Sequence, residues 1–226
     1  MRKIQRLAGI GLMAAATLAL AACGGTAAPA SSPAAGAPAA APASAAPAAT
    51  DTGVTTNADV FGPACSQLPQ GDAPGSLNNM GPQPVATAAS TNPLLTTLVT
   101  AVKAVPGLPD TLNNTQGITV FAPYNGAFDA VQKQIGAPAF QGLLKDTNKL
   151  GGLLSYHVVG QRYDAKGLVA AGETTELAGG NLTIGGTADA PTITDGQGNT
   201  AKVLCGNIPT SNATVFVIDR VLMPKS

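Results

Sequence analysis

Across 226 residues the chain has no tryptophan, a single histidine and only 4% aromatic residues, and charged residues make up 11%. No Lys or Arg cluster interleaves with aromatic side chains, so the footprint that nucleic acid requires is missing. With His157 alone, a histidine-based metal site would need carboxylates for nearly all its other ligands, and no metal-ligand spacing is present. No Ser stands in a G-x-S-x-G elbow and no Walker-type loop occurs. GQGNTA, from Gly196 to Ala201, superficially fits a dinucleotide fingerprint. It lies between two expected strands, where that motif needs a strand before and a helix after, and so reads as a hairpin turn. No catalytic residue, metal or cofactor is therefore assigned. The one catalytic arrangement left open is a Ser, His157 and Asp set assembled from distant loops.

What is present begins with an export signal. Arg2, Lys3 and Arg6 precede an uncharged run from Leu7 to Ala22 that is too short to span a bilayer comfortably. The run ends in Leu20-Ala21-Ala22-Cys23-Gly24, similar to a bacterial lipobox. Residues 1–22 are read as a lipoprotein signal peptide, with Cys23 acylated and holding the protein on the cell membrane, facing the exterior. The alternative is an ordinary signal peptide that leaves Cys23 a free thiol. Removing the leader takes three basic residues and no acidic ones, so the mature net charge is about minus three.

Residues 23–58 are expected to form a disordered, lipid-anchored stalk. Between Cys23 and Thr56 they are Ala, Pro, Ser, Thr and Gly apart from Val54 and one charge, Asp51, with no aromatic residue, a composition that cannot build a core. Spaced prolines extend such a segment to about 30 Å as a coil and up to about 100 Å as polyproline II. It is a passive linker or, additionally, an O-glycosylated one. Acylation of Cys23 would leave Cys65 and Cys205 as a pair, most simply a disulfide in an exported protein, and otherwise two buried thiols. The bond would close a loop of about 140 residues and stabilise by roughly 4 to 5 kcal/mol in the chain-entropy model.

Residues 59–81 are Gly- and Pro-rich and read as an irregular arm held by that disulfide. Asn92 caps and Pro93 opens a helix whose Leu94, Leu95, Leu98, Val102 and Val105 share a core face. Pro106 and Gly107 end it, and a loop through Asn113 and Asn114 follows. Gly117 to Phe128, GITVFAPYNGAF, reads as a buried strand turning into a helix capped by Asn125. Further helices carry Phe140, Leu143 and Leu144, then Leu150, Leu153 and Leu154. Tyr156 to Val159 reads as a strand, and Asp164 as a cap. Strands then follow over 173–177, 181–184, 191–194, 202–204 and 213–218. Helices first and strands later is the order of an α+β domain. Val215 to Ile218 lacks alternation and belongs at the centre of a sheet covered on both faces.

Three stretches carry a resemblance. TVFAPYNGAF resembles the first signature of fasciclin domains, usually TVFAPTN-x-AF, with Tyr124 where Thr is usual. LLSYHVV (Leu153 to Val159) and ATVFVIDRVLMP (Ala213 to Pro224) follow in the family's order. The motif residues are Thr119, Phe121, Ala122, Pro123, Asn125, Phe128, Tyr156, His157, Ile218, Asp219, Leu222 and Pro224. The chain over 82–226 is identified as a single fasciclin domain, most similar to actinobacterial secreted and lipoprotein surface antigens of the family. The resemblance implies a β-sandwich-like wedge with helices packed at one side. It implies a non-catalytic, monomeric surface protein that mediates adhesion or interaction with an unidentified protein or matrix partner. The alternative is a carrier or receptor for an apolar small ligand held between the sheet and the helices.

In animal members the Tyr-His pair is assigned to integrin-type contact, which would place Tyr156 and His157 at an interaction surface; as residues they read first as satisfied core groups. A second animal motif, Asp-Ile, corresponds here to Asn207 and Ile208. A neutral amide is a poor ligand for a hard cation, so integrin binding through that site is not expected. His157 and Asp219 are expected to be structural, bonded to backbone or to each other. The sequons at Asn113, Asn181 and Asn212 are short patterns with a high chance rate.

Overall fold

The computed structural model describes residues 53–225. The expected export leader, Cys23 and most of the expected stalk lie outside the described residues. The first half of the domain is helical: α1 (Leu77–Met80), α2 (Val85–Thr91), α3 (Thr96–Ala104), α4 (Leu108–Asn114), then β1 (Ile118–Pro123), α5 (Asn125–Ile135), α6 (Ala137–Lys145) and α7 (Thr147–Ser155). The second half is mostly strand: β2 (Val158–Val159), α8 (Ala165–Ala171), β3 (Glu173–Thr175), β4 (Asn181–Thr187), β5 (Ala190–Thr194), β6 (Thr200–Pro209) and β7 (Ala213–Ile218). The strands form one seven-stranded sheet in the order β2-β1-β7-β6-β5-β4-β3.

β1 and β7 lie parallel in register, Ile118 opposite Ala213 through Pro123 opposite Ile218, and every residue of both is buried. Their unbroken apolar runs have a simple cause. Successive side chains point to opposite faces, and each face meets a core. Ile118, Val120 and Ala122 join Val215 and Val217 in a core under α2, α3, α5 and α7. Phe121, Phe216 and Ile218 enter a second core with Leu182, Ile184, Ile193, Ala201, Val203 and Leu168.

The second core exists because β6 changes partners along its length. Thr200 to Lys202 pair with β5, whereas Val203 to Pro209 pair with β7. Register shifts between Val203 and Cys205 and between Cys205 and Ile208 bend the strand, as bulges do. The β3-β4-β5 part thus comes over the β1-β7 face, giving the wedge with helices on its other side. Among the described residues, bulge residue Asn207 is the one non-glycine with positive φ, 57°.

Several local expectations change. The segment after Gly107 is not a loop but α4, because Gly107 takes a left-handed conformation and Pro109 fits a first helical turn. Tyr156 and His157 are not in a strand; Tyr156 ends α7 and β2 has only two residues. The strand expected over 202–204 is ten residues long, because Gly206-Asn207 forms the bulge rather than a turn. Asn125 does not cap its own helix. It is the first residue of α5, and its Oδ1 accepts from Thr97 N–H at the start of α3 (3.0 Å) while Nδ2 donates to Pro93 O (3.0 Å). It joins two helices.

The arm is also more than irregular. Cys65 and Cys205 are bonded, with Cα atoms 5.0 Å apart. Phe61 and Gly206 exchange both backbone hydrogen bonds as an isolated bridge beside it. Met80 and Leu68 are buried in the helix-side core. A Cβ on Gly62 would collide with the Leu204 carbonyl, so only glycine lets the arm lie this close to β6. The described residues reach into the expected stalk, where Thr214 Oγ1 donates to Gly53 O at 2.7 Å.

Candidate functional site

The end of α7 delivers His157 into the interior, where it is 3% exposed. Its Nε2 accepts from Leu222 N–H at 2.9 Å, which requires the proton on Nδ1, and Nδ1–H donates to Leu153 O at 2.7 Å. Burial lowers its pKa to about 4, outweighing the Leu153 carbonyl and the Asp195 charge, which act the other way. Both ring nitrogens are thus occupied by backbone, and no Ser or Asp engages them. His157 ties the segment after β7 to the end of α7. Asp195 ties the next residue to the β5-β6 turn instead: its Oδ2 accepts from Met223 N–H (3.0 Å), and its Oδ1 closes that turn through Gln197 and Asn199 N–H. Tyr156, 2% exposed, accepts from Gly196 N–H at 2.7 Å, and burial pushes its phenol pKa up.

Most of the other family-motif residues are likewise internal, with Pro224 exposed. Thr119 Oγ1 donates to Gln161 O and accepts from Tyr163 N–H, both at 2.8 Å, fixing the segment that links β2 to α8. Phe121, Ala122, Pro123, Phe128, Ile218 and Leu222 are buried. Asp219 is half-buried and accepts from Lys202 N–H at 2.8 Å, with no bond to His157. Pro224 O receives Gln197 Nε2 at 3.2 Å.

Asn207 and Ile208 do not form a surface motif. Asn207 is 8% exposed, accepts from Ala165 N–H (2.8 Å) and donates to Asp59 O (3.1 Å), and Ile208 is 1% exposed. With Tyr156 and His157 also buried, all four positions compared with the animal contact motifs lie inside the fold. The polar atoms of Tyr156, His157 and Asn207 tie backbone groups that would otherwise be buried unpaired, and Ile208 is part of the helix-side core.

Two features went unmarked in the sequence. Asn212, read there as a chance sequon, is fully buried: Oδ1 accepts from Val85 N–H at the start of α2 (2.9 Å), and Nδ2 donates to Leu112 O (2.7 Å) and Thr115 O (2.6 Å) at the end of α4. One side chain fixes two helix ends. Arg162, half-buried, donates to Thr214 Oγ1 (3.1 Å), Thr210 O (3.0 Å) and Ala213 O (2.8 Å), and burial lowers its pKa.

The concave site is a cavity of about 70 Å³ beneath α2, α3 and α4. Its floor is Val120, Ala122, Val158 and Val215 of the sheet, with Leu154 and His157 behind; Ala86, Ala89, Val99 and Val102 form a partly exposed rim. Lys103 is its one charged lining residue. Apart from the lysine the wall offers no unsatisfied polar group, so it suits apolar contents. Among the described residues no group of three His, Cys, Asp or Glu side chains is placed to hold a metal.

A sequence profile described as the fasciclin domain matches residues 93–224. The chain is 41% identical over 175 residues to the cell surface glycolipoproteins MPB83 of Mycobacterium bovis and MPT83 of Mycobacterium tuberculosis, an alignment covering 74% of this chain and 73% of each relative. It is 38% identical over 177 residues to the immunogenic protein MPB70 of Mycobacterium bovis, covering 74% of this chain and 83% of that one. Among solved structures, a FAS1 domain pair from the insect cell adhesion molecule fasciclin I superposes with a TM-score of 0.54 at 18% identity. That match spans 62% of this chain and 51% of the insect chain, and shows the shared fold. The chain belongs to the fasciclin domain family.

Proposed function

We propose that this chain is an exported, non-catalytic cell-surface protein. Its fasciclin domain is carried on a stalk anchored through acyl groups on Cys23 and engages a protein or matrix partner as a monomer. The observation that carries this reading is its 41% identity, across most of both chains, to proteins named cell surface glycolipoproteins. The buried state of Tyr156, His157, Asn207 and Ile208 moves any contact to other surfaces of the domain. The test compares cells producing the wild type with cells producing Cys23→Ala. Wild type should incorporate labelled fatty acid, stay with the cells, be cleaved by added protease and support saturable adhesion to immobilised matrix proteins that soluble domain competes. Cys23→Ala should take up no label and appear in the medium. Equal labelling of both proteins would remove the anchor, and adhesion unchanged by deleting the protein would remove the interaction role.

A second reading, a receptor for an apolar small ligand, is favoured by the cavity under α2, α3 and α4.

A further inference from the structure

The roof of the cavity has an unusual charge pattern. From Ala73 to Pro109 the chain contains one charged residue, Lys103, and that residue stands at the cavity rim. It is exposed, and among the described residues it forms no ion pair. Behind it the wall is apolar, aliphatic side chains with Phe121, and the one polar side chain at depth, His157, has both ring nitrogens committed to Leu153 and Leu222. Water entering there would find no partners, so the space favours a hydrocarbon. The room comes from residue size. Ala86 and Ala89 present single methyl groups where larger side chains would fill the gap between α2 and the sheet.

Resting on the apolar-ligand reading above, we propose that this cavity takes the tail of a linear free fatty acid, with its carboxylate at Lys103. A single cation beside an otherwise uncharged, apolar mouth matches an amphiphile with one anionic group and one unbranched chain. A volume of about 70 Å³ admits the terminal few carbons, and the remaining methylenes lie across the rim formed by Val99 and Val102. Each methylene buried should raise affinity about fourfold until the apolar surface is covered.

The test uses the full chain carrying Cys23→Ala, so that no acyl group of its own competes, after delipidation. Cis-parinaric acid is titrated by fluorescence and displaced with decanoate, dodecanoate and dodecanol. Saturable micromolar binding is expected, with dodecanoate displacing more strongly than decanoate. Ala89→Phe should weaken binding at least tenfold by filling the space. Val99→Phe provides a second obstruction should the first variant fail to fold. Lys103→Glu should weaken dodecanoate about tenfold and leave dodecanol unchanged. No saturable parinarate binding by folded protein would overturn both this assignment and the ligand reading. Equal affinity for dodecanoate and dodecanol, or no effect of Lys103→Glu, would overturn the carboxylate site while the apolar-ligand reading stands. Full binding by folded Ala89→Phe and Val99→Phe would place the ligand elsewhere.

Discussion

β1 and β7 separate two cores that are built differently. On the sheet side, Phe121 and Phe216 meet with ring centroids 5.9 Å apart, and Leu182, Ile193, Ala201 and Leu168 fill the space around them. The buried hydrogen bonds of Thr119, Tyr156 and Asp195 then fasten its edges. On the helix side, short helices rich in Ala and Val lie over the same strands and leave a cavity with a partly exposed rim. The strands carry a buried core on each face, and the helix-side one borders a cavity. Both cores hold the fold, and the helix-side one also leaves the space in which a ligand is proposed to sit.

The comparison can be broken most sharply at Phe216. Phe216→Ala removes a fully buried ring from the close-packed side and should cost about 3 to 5 kcal/mol in urea unfolding. A loss under about 1 kcal/mol would mean that this core is as loose as the other.

Acid offers the next test, at the boundary between the two cores. His157 has a pKa of about 4 in the fold against an ordinary value near 6.5. Above pH 6.5 both folded and unfolded chains hold it neutral. As pH falls from there toward 4, only the unfolded chain gains the proton, so stability is lost through that window by roughly 3 kcal/mol and by no more below it. His157→Gln should flatten the slope of unfolding free energy between pH 6.5 and 4. An unchanged slope would show that other groups set it.

Asn212 acts on the helix side alone, since its side chain holds α2 and α4, the roof of the cavity. Asn212→Ala leaves buried backbone groups unpaired and should cost about 2 kcal/mol. Amide exchange should quicken in α2 and α4 while β4 and β5 keep their protection. Uniform quickening would mean the two sides open together.

How much of this was legible in the sequence follows from how local each cause is. The apolar runs of β1 and β7 could be read because burial on both faces leaves a continuous pattern. Asn92, with Pro93 after it, marks a helix start because a cap acts within a few residues; its Oδ1 accepts from Leu94 N–H at 2.9 Å. α4 was hidden by Pro106, Gly107 and Pro109, which resemble a loop until the left-handed Gly107 restarts the helix. Asn125, Asn207 and Asn212 satisfy backbone groups far away in the chain, Asn207 reaching across 148 residues to Asp59, and no local spacing records such a partner. The cavity is a space between three helices and a sheet. Its small rim residues, Ala86 and Ala89, look like any other alanines of a helix, and Lys103 looks like a solvated charge.

The contrast between the two cores is tested most directly by placing the same added volume on each side. Ala89 borders the cavity and Ala201 is fully buried in the sheet-side core. Urea unfolding of Ala89→Leu and Ala201→Leu, with wild type alongside, measures whether each site has room. The expected result is a change within about 1 kcal/mol, or a gain, for Ala89→Leu, and a loss of about 1 to 3 kcal/mol from overpacking for Ala201→Leu. Equal losses at the two positions would contradict the account, because they would show no more room beneath the helices than between the sheet layers.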